Sequence, residues 1–172
     1  MQKIGFFGGC FNPPSIIHIQ IANNLIKQGK VDKIVFVPVN DYYTKKDLVT
    51  AKHRYNMLKL ATKDNDKIEV DDIELKENKD LYAVDAFEII TEKYKKYGEL
   101  FLIMGSDNFN KMPTWKEYET IKDKYKYIII DRDEKDISST EIRNMIKNND
   151  EEVVKYLPKE VYNYIIENEL YR

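Results

Sequence analysis

At 172 residues and 42% hydrophobic content, the chain is expected to form a single domain over 1–172 that buries its own core without staples. Its 28 basic against 30 acidic residues give a formal net charge of −2, which argues against a nucleic-acid binder, since those carry a clear basic excess. One cysteine, Cys10, excludes an internal disulfide, and no apolar run approaches the ~20 residues of a membrane span or resembles a signal segment, so a soluble cytoplasmic protein with no membrane partner is expected.

The segment Lys3–Phe7 reads as a strand that stops at Gly8-Gly9. Over Ile16–Gln28 the apolar residues Ile17, Ile21 and Leu25 fall at helical spacing. Lys33–Val39 is a short β-branched run, the pattern of a buried strand, and Lys52–Thr62 reads as a helix. Lys67–Asp72 alternates as a third strand, and Ala83–Tyr97 is a helix with Val84, Phe87, Ile90 and Tyr94 on one face. Leu100–Met104 is a strand ending at Gly105, Trp115–Lys122 a short helix and Lys126–Ile130 a last strand. Helices over Thr140–Asn148, with Ser138, Ser139 or Thr140 as N-cap, and over Pro158–Glu167 complete the order.

Alternation of strands and helices predicts an α/β, doubly wound, mostly parallel sheet with helices on both faces. In such sheets ligands bind outside the carboxyl ends of the strands. Gly8-Gly9, Asn40–Lys46, Gly105–Asp107 and Ile137–Arg143 all follow or flank strand ends, so they are predicted to meet on one rim as a nucleotide site.

Gly8 and Gly9 let the chain turn tightly and bring backbone close to a phosphate, and the helix that follows aims its N-terminus at that anion. His18 then stands near the helix start as a donor; the alternative is a tight turn with a surface histidine. The segment Gly8-Gly9-Cys10-Phe11-Asn12-Pro13-Pro14-Ser15-Ile16-Ile17-His18 resembles the nucleotidyltransferase motif G-G-[ST]-F-[DN]-P-x-H-x-G-H. Cys10 replaces the small hydroxyl residue, Ser15 the first histidine and Ile17 the glycine. At the other end, Ile137-Ser138-Ser139-Thr140-Glu141-Ile142-Arg143 is similar to the family's I-S-S-T-x-I-R, and it reads equally as a capping box with a surface arginine. Gly105-Ser106-Asp107 and Met112-Pro113-Thr114-Trp115 resemble the family's G-[AS]-D and L-P-T-W stretches; otherwise the one tryptophan is core. Asn40–Lys46 and the helix with Arg54, Met57 and Leu58 resemble the loop and R-x-x-M-L helix after the second strand. Lys45 and Lys46 are phosphate contacts or a solvated basic turn, and Arg54 binds the mononucleotide phosphate or braces the loop. Tyr82-Ala83-Val84-Asp85-Ala86 stands where the family shows Y-T-x-D-T, with alanine for both threonines.

The chain thus resembles the bacterial nicotinate (nicotinamide) mononucleotide adenylyltransferase family over nearly its whole length. That resemblance implies transfer of AMP from ATP to nicotinate mononucleotide, giving deamido-NAD and pyrophosphate in NAD biosynthesis. It implies catalytic roles for His18, Arg143 and Ser15, and ATP contacts at Gly8, Gly9, Cys10, Phe11, Asp107, Ile137, Ser138, Ser139 and Arg143. Substrate contacts follow at Trp115, Asn40, Lys45, Lys46, Arg54 and Asp85. Mg²⁺ is expected to arrive with ATP, held by triphosphate and water and not by a protein metal site. Two rival readings stand beside it: a related transferase with another phosphorylated acceptor, and a nucleotide-binding protein without turnover. Between Ile130 and Ile137 the family spends a longer loop and another strand, so either the sheet lacks a strand or the helix carrying Arg143 sits closer to the rim.

Overall fold

The computed structural model describes residues 1–131, 133 and 135–172. Five parallel strands, β1 (Lys3–Gly9), β2 (Lys33–Pro38), β3 (Ile68–Val70), β4 (Glu99–Gly105) and β5 (Lys126–Ile130), lie in the order β3-β2-β1-β4-β5. Strand order reverses beside β1, which pairs with β2 on one side and β4 on the other. That is the switch point where such sheets open a crevice for ligands.

The strand period of two sets the layers. Ile34 and Phe36 of β2 pack on one face with Ile68, Ile103 and Phe7, covered by α1 (Ile16–Lys27, through Ala22 and Leu25) and by Leu58 of α2 (Ala51–Thr62). Val35 and Val37 point the other way, with Ile4, Phe6 and Leu102, under Ile90 and Tyr94 of α3 (Ala83–Tyr94). On that flank, α5 (Tyr118–Lys124) adds Ile121 to Val84 and Met112. A third cluster joins Met57 of α2 to Ile142 and Ile146 of α6 (Ser139–Lys147) and Val161 and Ile165 of α7 (Lys159–Glu167). No helix among the described residues is long and apolar enough to cross a membrane.

Several elements depart from the sequence expectations. The third strand is only Ile68–Val70; just past it the Asp71 amide still donates to the Phe36 carbonyl at 2.9 Å while its side chain receives Lys93 and the Tyr94 hydroxyl. The stretch after β4 is helical at once, as α4 (Ser106–Lys111), followed by a 3-10 turn at Met112–Thr114. The next helix therefore starts at Tyr118 and not Trp115, after Glu117 takes a left-handed φ of 56°. Among the described residues the sheet is five-stranded, and none of those between Ile130 and α6 lies in a strand; Arg132 and Glu134 of that short segment lie outside the described residues.

Candidate active site

After Gly9 the chain turns through residues 10–15 into α1. Phe11 adopts a φ of 49°, which throws its ring inward to 3% exposure, edge-on to Phe7, Phe36 and His18 at 5.7, 5.2 and 5.2 Å between centroids. A Cβ at Gly9 would stand 3.2 Å from the Phe11 ring, whereas at Gly8 the nearest atom would be the Val37 carbonyl at 3.9 Å. Glycine at 9 thus answers to Phe11, while glycine at 8 leaves backbone open to a ligand. Phe11, expected to touch ATP, shapes the turn from the core side.

Ser15, expected to hold phosphate, is 2% exposed at the N-cap of α1. Its backbone N–H donates to His18 Nδ1 at 2.9 Å, and its hydroxyl lies 3.0 Å from the same nitrogen. An N–H is an obligatory donor, so Nδ1 is the acceptor and a neutral His18 carries its proton on Nε2. Ser15 therefore holds His18, which is half-buried between Phe7 and Phe11. The Ile16 amide donates to the Tyr156 carbonyl at 3.0 Å, so together with the Ser15 N–H at least two of the four N–H groups at this helix start are already used. Ile17 is half-buried in the first turn.

Helix α6 docks directly on this turn. Ser139 Oγ donates to the Pro13 carbonyl at 3.0 Å across 126 residues, and Arg143 Nη1 donates to the Asn12 carbonyl at 2.9 Å across 131. Arg143 Nη2 also reaches Thr140 Oγ1 at 3.2 Å, and the guanidinium is 7% exposed. The two motifs from opposite ends of the chain thus form one unit. Ser138 closes a capping box: its N–H donates to Glu141 Oε2 at 2.7 Å and its Oγ accepts from the Glu141 amide at 3.1 Å. Ile137 packs against the α2–α6–α7 cluster, which leaves its backbone and not its side chain for a nucleotide.

Two residues expected at the mononucleotide are closed off. Arg54 is 0% exposed; Nε donates to the Val49 carbonyl at 2.9 Å, Nη1 to Cys10 O at 3.0 Å and Nη2 to Asn40 O at 3.5 Å. It is the brace of two loops, because at 0% exposure all three of its guanidinium nitrogens are spent on backbone carbonyls. Asn40 is likewise buried, donating to the Glu77 and Lys79 carbonyls and accepting from the Tyr42 amide. Lys45 and Lys46 are exposed on the loop these two residues hold.

The field at the turn is cationic. Burial pushes the Cys10 thiol up, against the opposing pull of Lys45, Arg54 and Arg143. Glu74, in a 3-10 turn at Glu74–Lys76, is 8% exposed, and burial raises its carboxyl to about 7 despite Arg54. Sequence reading passed over Glu74, which carries no local signal, and treated Asn12 only as a motif letter. Asn12 is 3% exposed; its Nδ2 donates to the Asp47 carbonyl at 2.8 Å and its Oδ1 accepts from the Val49 amide at 3.3 Å.

The other flank is aromatic. Asp85, expected at the substrate, caps α3 by accepting from the Tyr82 amide at 3.0 Å. The Tyr82 ring is 54% exposed with Lys116 Nζ 4.3 Å from its centroid. Trp115 is half-buried, packed on Val84, Met112 and Ile121 and 6.5 Å from Phe87, so it is neither wholly core nor wholly free. Asp107 is exposed in the first turn of α4, just beyond the end of β4.

Residues 6–145 match the cytidylyltransferase-like family. The chain is 31% identical to the probable nicotinate-nucleotide adenylyltransferase of Endomicrobium trichonymphae, covering 100% of both chains. It is 34% identical to the protein of the same name from Borrelia garinii, covering 99% of this chain and 95% of the relative. The Endomicrobium alignment runs over 194 positions, so it includes positions that this shorter chain lacks. Plasmodium falciparum nicotinic acid mononucleotide adenylyltransferase, solved with NaAD, superposes with a TM-score of 0.78 at 22% identity, covering 99% of this chain and 98% of that one, a likeness of fold.

Proposed function

The chain belongs to the cytidylyltransferase-like family, among the nicotinate-nucleotide adenylyltransferases, and on that premise we propose that it transfers AMP from ATP to nicotinate mononucleotide, a cytoplasmic step of NAD biosynthesis. The observation that carries this reading is the docking of α6 on the first turn through Ser139–Pro13 and Arg143–Asn12. It brings the N-terminal end of α6 and Arg143 onto the turn that leads to His18, and Lys45 lies near enough to act on Cys10 of the same turn. A polyanion with three linked phosphates matches such a field.

In this reading the phosphate oxygen of the mononucleotide attacks the α-phosphorus of ATP in line. The bond from that phosphorus to the bridging oxygen breaks, and pyrophosphate leaves with the electron pair. No enzyme nucleophile is needed, and a thiol pushed up by burial suits Cys10 to lining the turn and not to attack. Catalysis is then positioning and charge stabilisation. The roles proposed are these: the Gly8 backbone, His18 Nε2–H and Arg143 on the phosphates, Lys45 and Lys46 closing over them, Asp107 on a ribose, and Trp115 beside the pyridine ring. Among the described residues no group of three or more His, Cys, Asp or Glu side chains is placed to hold a metal ion. We take magnesium to enter with ATP as the Mg·ATP complex, held by triphosphate and water.

Pyrophosphate release from Mg·ATP with nicotinate mononucleotide tests the proposal, with nicotinamide mononucleotide and other phosphorylated acceptors alongside. Turnover strongest with nicotinate mononucleotide supports it. Preference for an unrelated acceptor, or tight ATP binding without pyrophosphate, overturns it.

A further inference from the structure

Asn12 has a partner beyond those of the two loops. The Tyr171 hydroxyl donates to Asn12 Oδ1 at 2.8 Å across 159 residues, with both groups buried. The Tyr171 ring lies in the cluster of Met57, Ile142, Val161 and Ile165, so its position is set by α2, α6 and α7 together. Its backbone takes a left-handed φ of 63°, which turns the segment after α7 back toward the first turn. Arg143 and Arg54 both lie near enough to act on the phenol.

One residue therefore answers to three parts of the chain, two through its side-chain amide and one through its carbonyl. Nδ2 holds Asp47 and Oδ1 holds Val49, the far end of the loop that carries Lys45 and Lys46. Oδ1 also receives Tyr171, while the carbonyl of the same residue receives Arg143. An amide oxygen accepts along lone-pair directions, so the strong bond from Tyr171 fixes the rotation of the Asn12 amide. That rotation decides where Nδ2 points, and hence where the Asp47 end of the lysine loop sits relative to Gly8 and Arg143. The Val49 bond, at 3.3 Å, is too long to fix it alone.

We propose that Tyr171 is a positioning residue for the phosphate site: through Asn12 it sets the lysine loop against the first turn in the arrangement that receives the triphosphate. This rests on the adenylyl-transfer reading above. It requires that loss of the hydroxyl alone weaken ATP use more than acceptor use. A role confined to packing requires that the ring, not the hydroxyl, matter.

The test compares the full chain with Tyr171→Phe, which keeps the ring, and with Leu170→Ala, which trims the same cluster and keeps the hydroxyl. Initial rates of pyrophosphate release are measured with ATP and mononucleotide varied separately, beside thermal melts. For Tyr171→Phe the KM for ATP should rise about five- to tenfold, the effect of one buried hydrogen bond, with the acceptor KM within twofold and the melting temperature within a few degrees. Leu170→Ala should lower the melting temperature and leave the KM for ATP near wild type. Unchanged kinetics in Tyr171→Phe, or equal rises in both KM values, overturns the proposal. Should the wild-type chain release no pyrophosphate, the functional reading fails by itself. The positioning proposal is then read from ATP binding by calorimetry, where equal Kd for wild type and Tyr171→Phe overturns it.

Discussion

The phosphate side and the acceptor side of the rim hold their polar groups in different ways. On the phosphate side Asn12, Ser15, Asn40, Arg54 and Arg143 are all buried, and each of them except Ser15, which bonds to His18 three residues on, has partners 14 or more residues away, up to 159. On the acceptor side the bonds are local, such as Asp85 to Tyr82 three residues away, and the large groups are half-exposed aromatics. Where a polyanion is expected, the protein spends its motif residues on making a rigid turn, and few donors remain for the ligand. Where a flat ring is expected, it leaves aromatic surface and little wiring. Rigidity on the first side is what charge stabilisation needs, since donors aimed in advance require no reorganisation during reaction.

Arg54 gives the largest effect by which this contrast can be broken. Arg54→Leu removes the donors to the Val49, Cys10 and Asn40 carbonyls at a site of 0% exposure. The expected loss is about 3–5 kcal/mol of stability, the range for breaking one partner of a buried charged network. The ion pair to Asp41 adds little, being 3.5 Å long with a half-exposed carboxylate. Urea melts measure it, and a loss under about 1 kcal/mol would mean that the phosphate side is not braced as described.

His18 is where bracing becomes chemistry. His18→Ala should lower kcat by on the order of a hundredfold, as loss of one pre-aimed donor does. Stability should fall by no more than about 1 kcal/mol, because the ring is half-buried and its contacts to Phe7 and Phe11 are edge-on. A variant that keeps its rate but melts early would make His18 part of the wiring.

Glu74 offers a pH handle on the same side. Its carboxyl is raised to about 7 from an ordinary 4.5 by burial, so between those values the folded chain keeps a proton that the unfolded chain has released. The contribution to stability is therefore complete below about pH 4.5 and is lost as pH rises through 7. Glu74→Gln should remove this dependence and stabilise the chain at pH 8 by roughly 2–3 kcal/mol. Parallel stability–pH curves for the two chains would refute it.

These residues also mark the limit of what was legible. The unbroken β-branched run of Lys33–Val39 displayed a strand, buried on both faces as such a run implies, and the spacing of Ile21 and Leu25 displayed a helix with one buried face. Helix α4 was not visible, since six residues give no period to detect. The rim was legible from strand ends and the two motifs. The division of labour within it was not: a buried brace such as Arg54 and a rim donor are the same letter, and only partners 5, 14 and 44 residues away distinguish them. Asn12 is the extreme case, with its partners 35, 37 and 159 residues distant.

Trp115 sharpens the acceptor side. Trp115→Ala should raise the KM for mononucleotide about tenfold, in keeping with a ring–ring contact of 0.5–1.5 kcal/mol beyond burial, and leave the KM for ATP within twofold. Its fluorescence should change on adding mononucleotide alone. Equal rises in both KM values would place Trp115 with the core residues Val84, Met112 and Ile121 that it touches.

The smallest effect belongs to Ser15, and it separates holding from touching. Ser15→Ala removes the hydroxyl 3.0 Å from His18 Nδ1 but not the backbone N–H at 2.9 Å, which keeps the ring's tautomer fixed. Activity should therefore fall only two- to fivefold, the share of a neutral contact with a second bond still in place. A residue that bound phosphate directly would cost far more, near the loss expected for His18 itself. Ser15→His, which restores the family's letter, should not raise activity even with Ile17→Gly. At 2% exposure the N-cap has no room for an imidazole, and the larger ring would displace the His18 contact that the serine serves. A rate increase in that double variant would show that Ser15 is a vacancy in an inherited ATP site. A fall, together with a nearly active Ser15→Ala, would show a turn rebuilt around a single histidine.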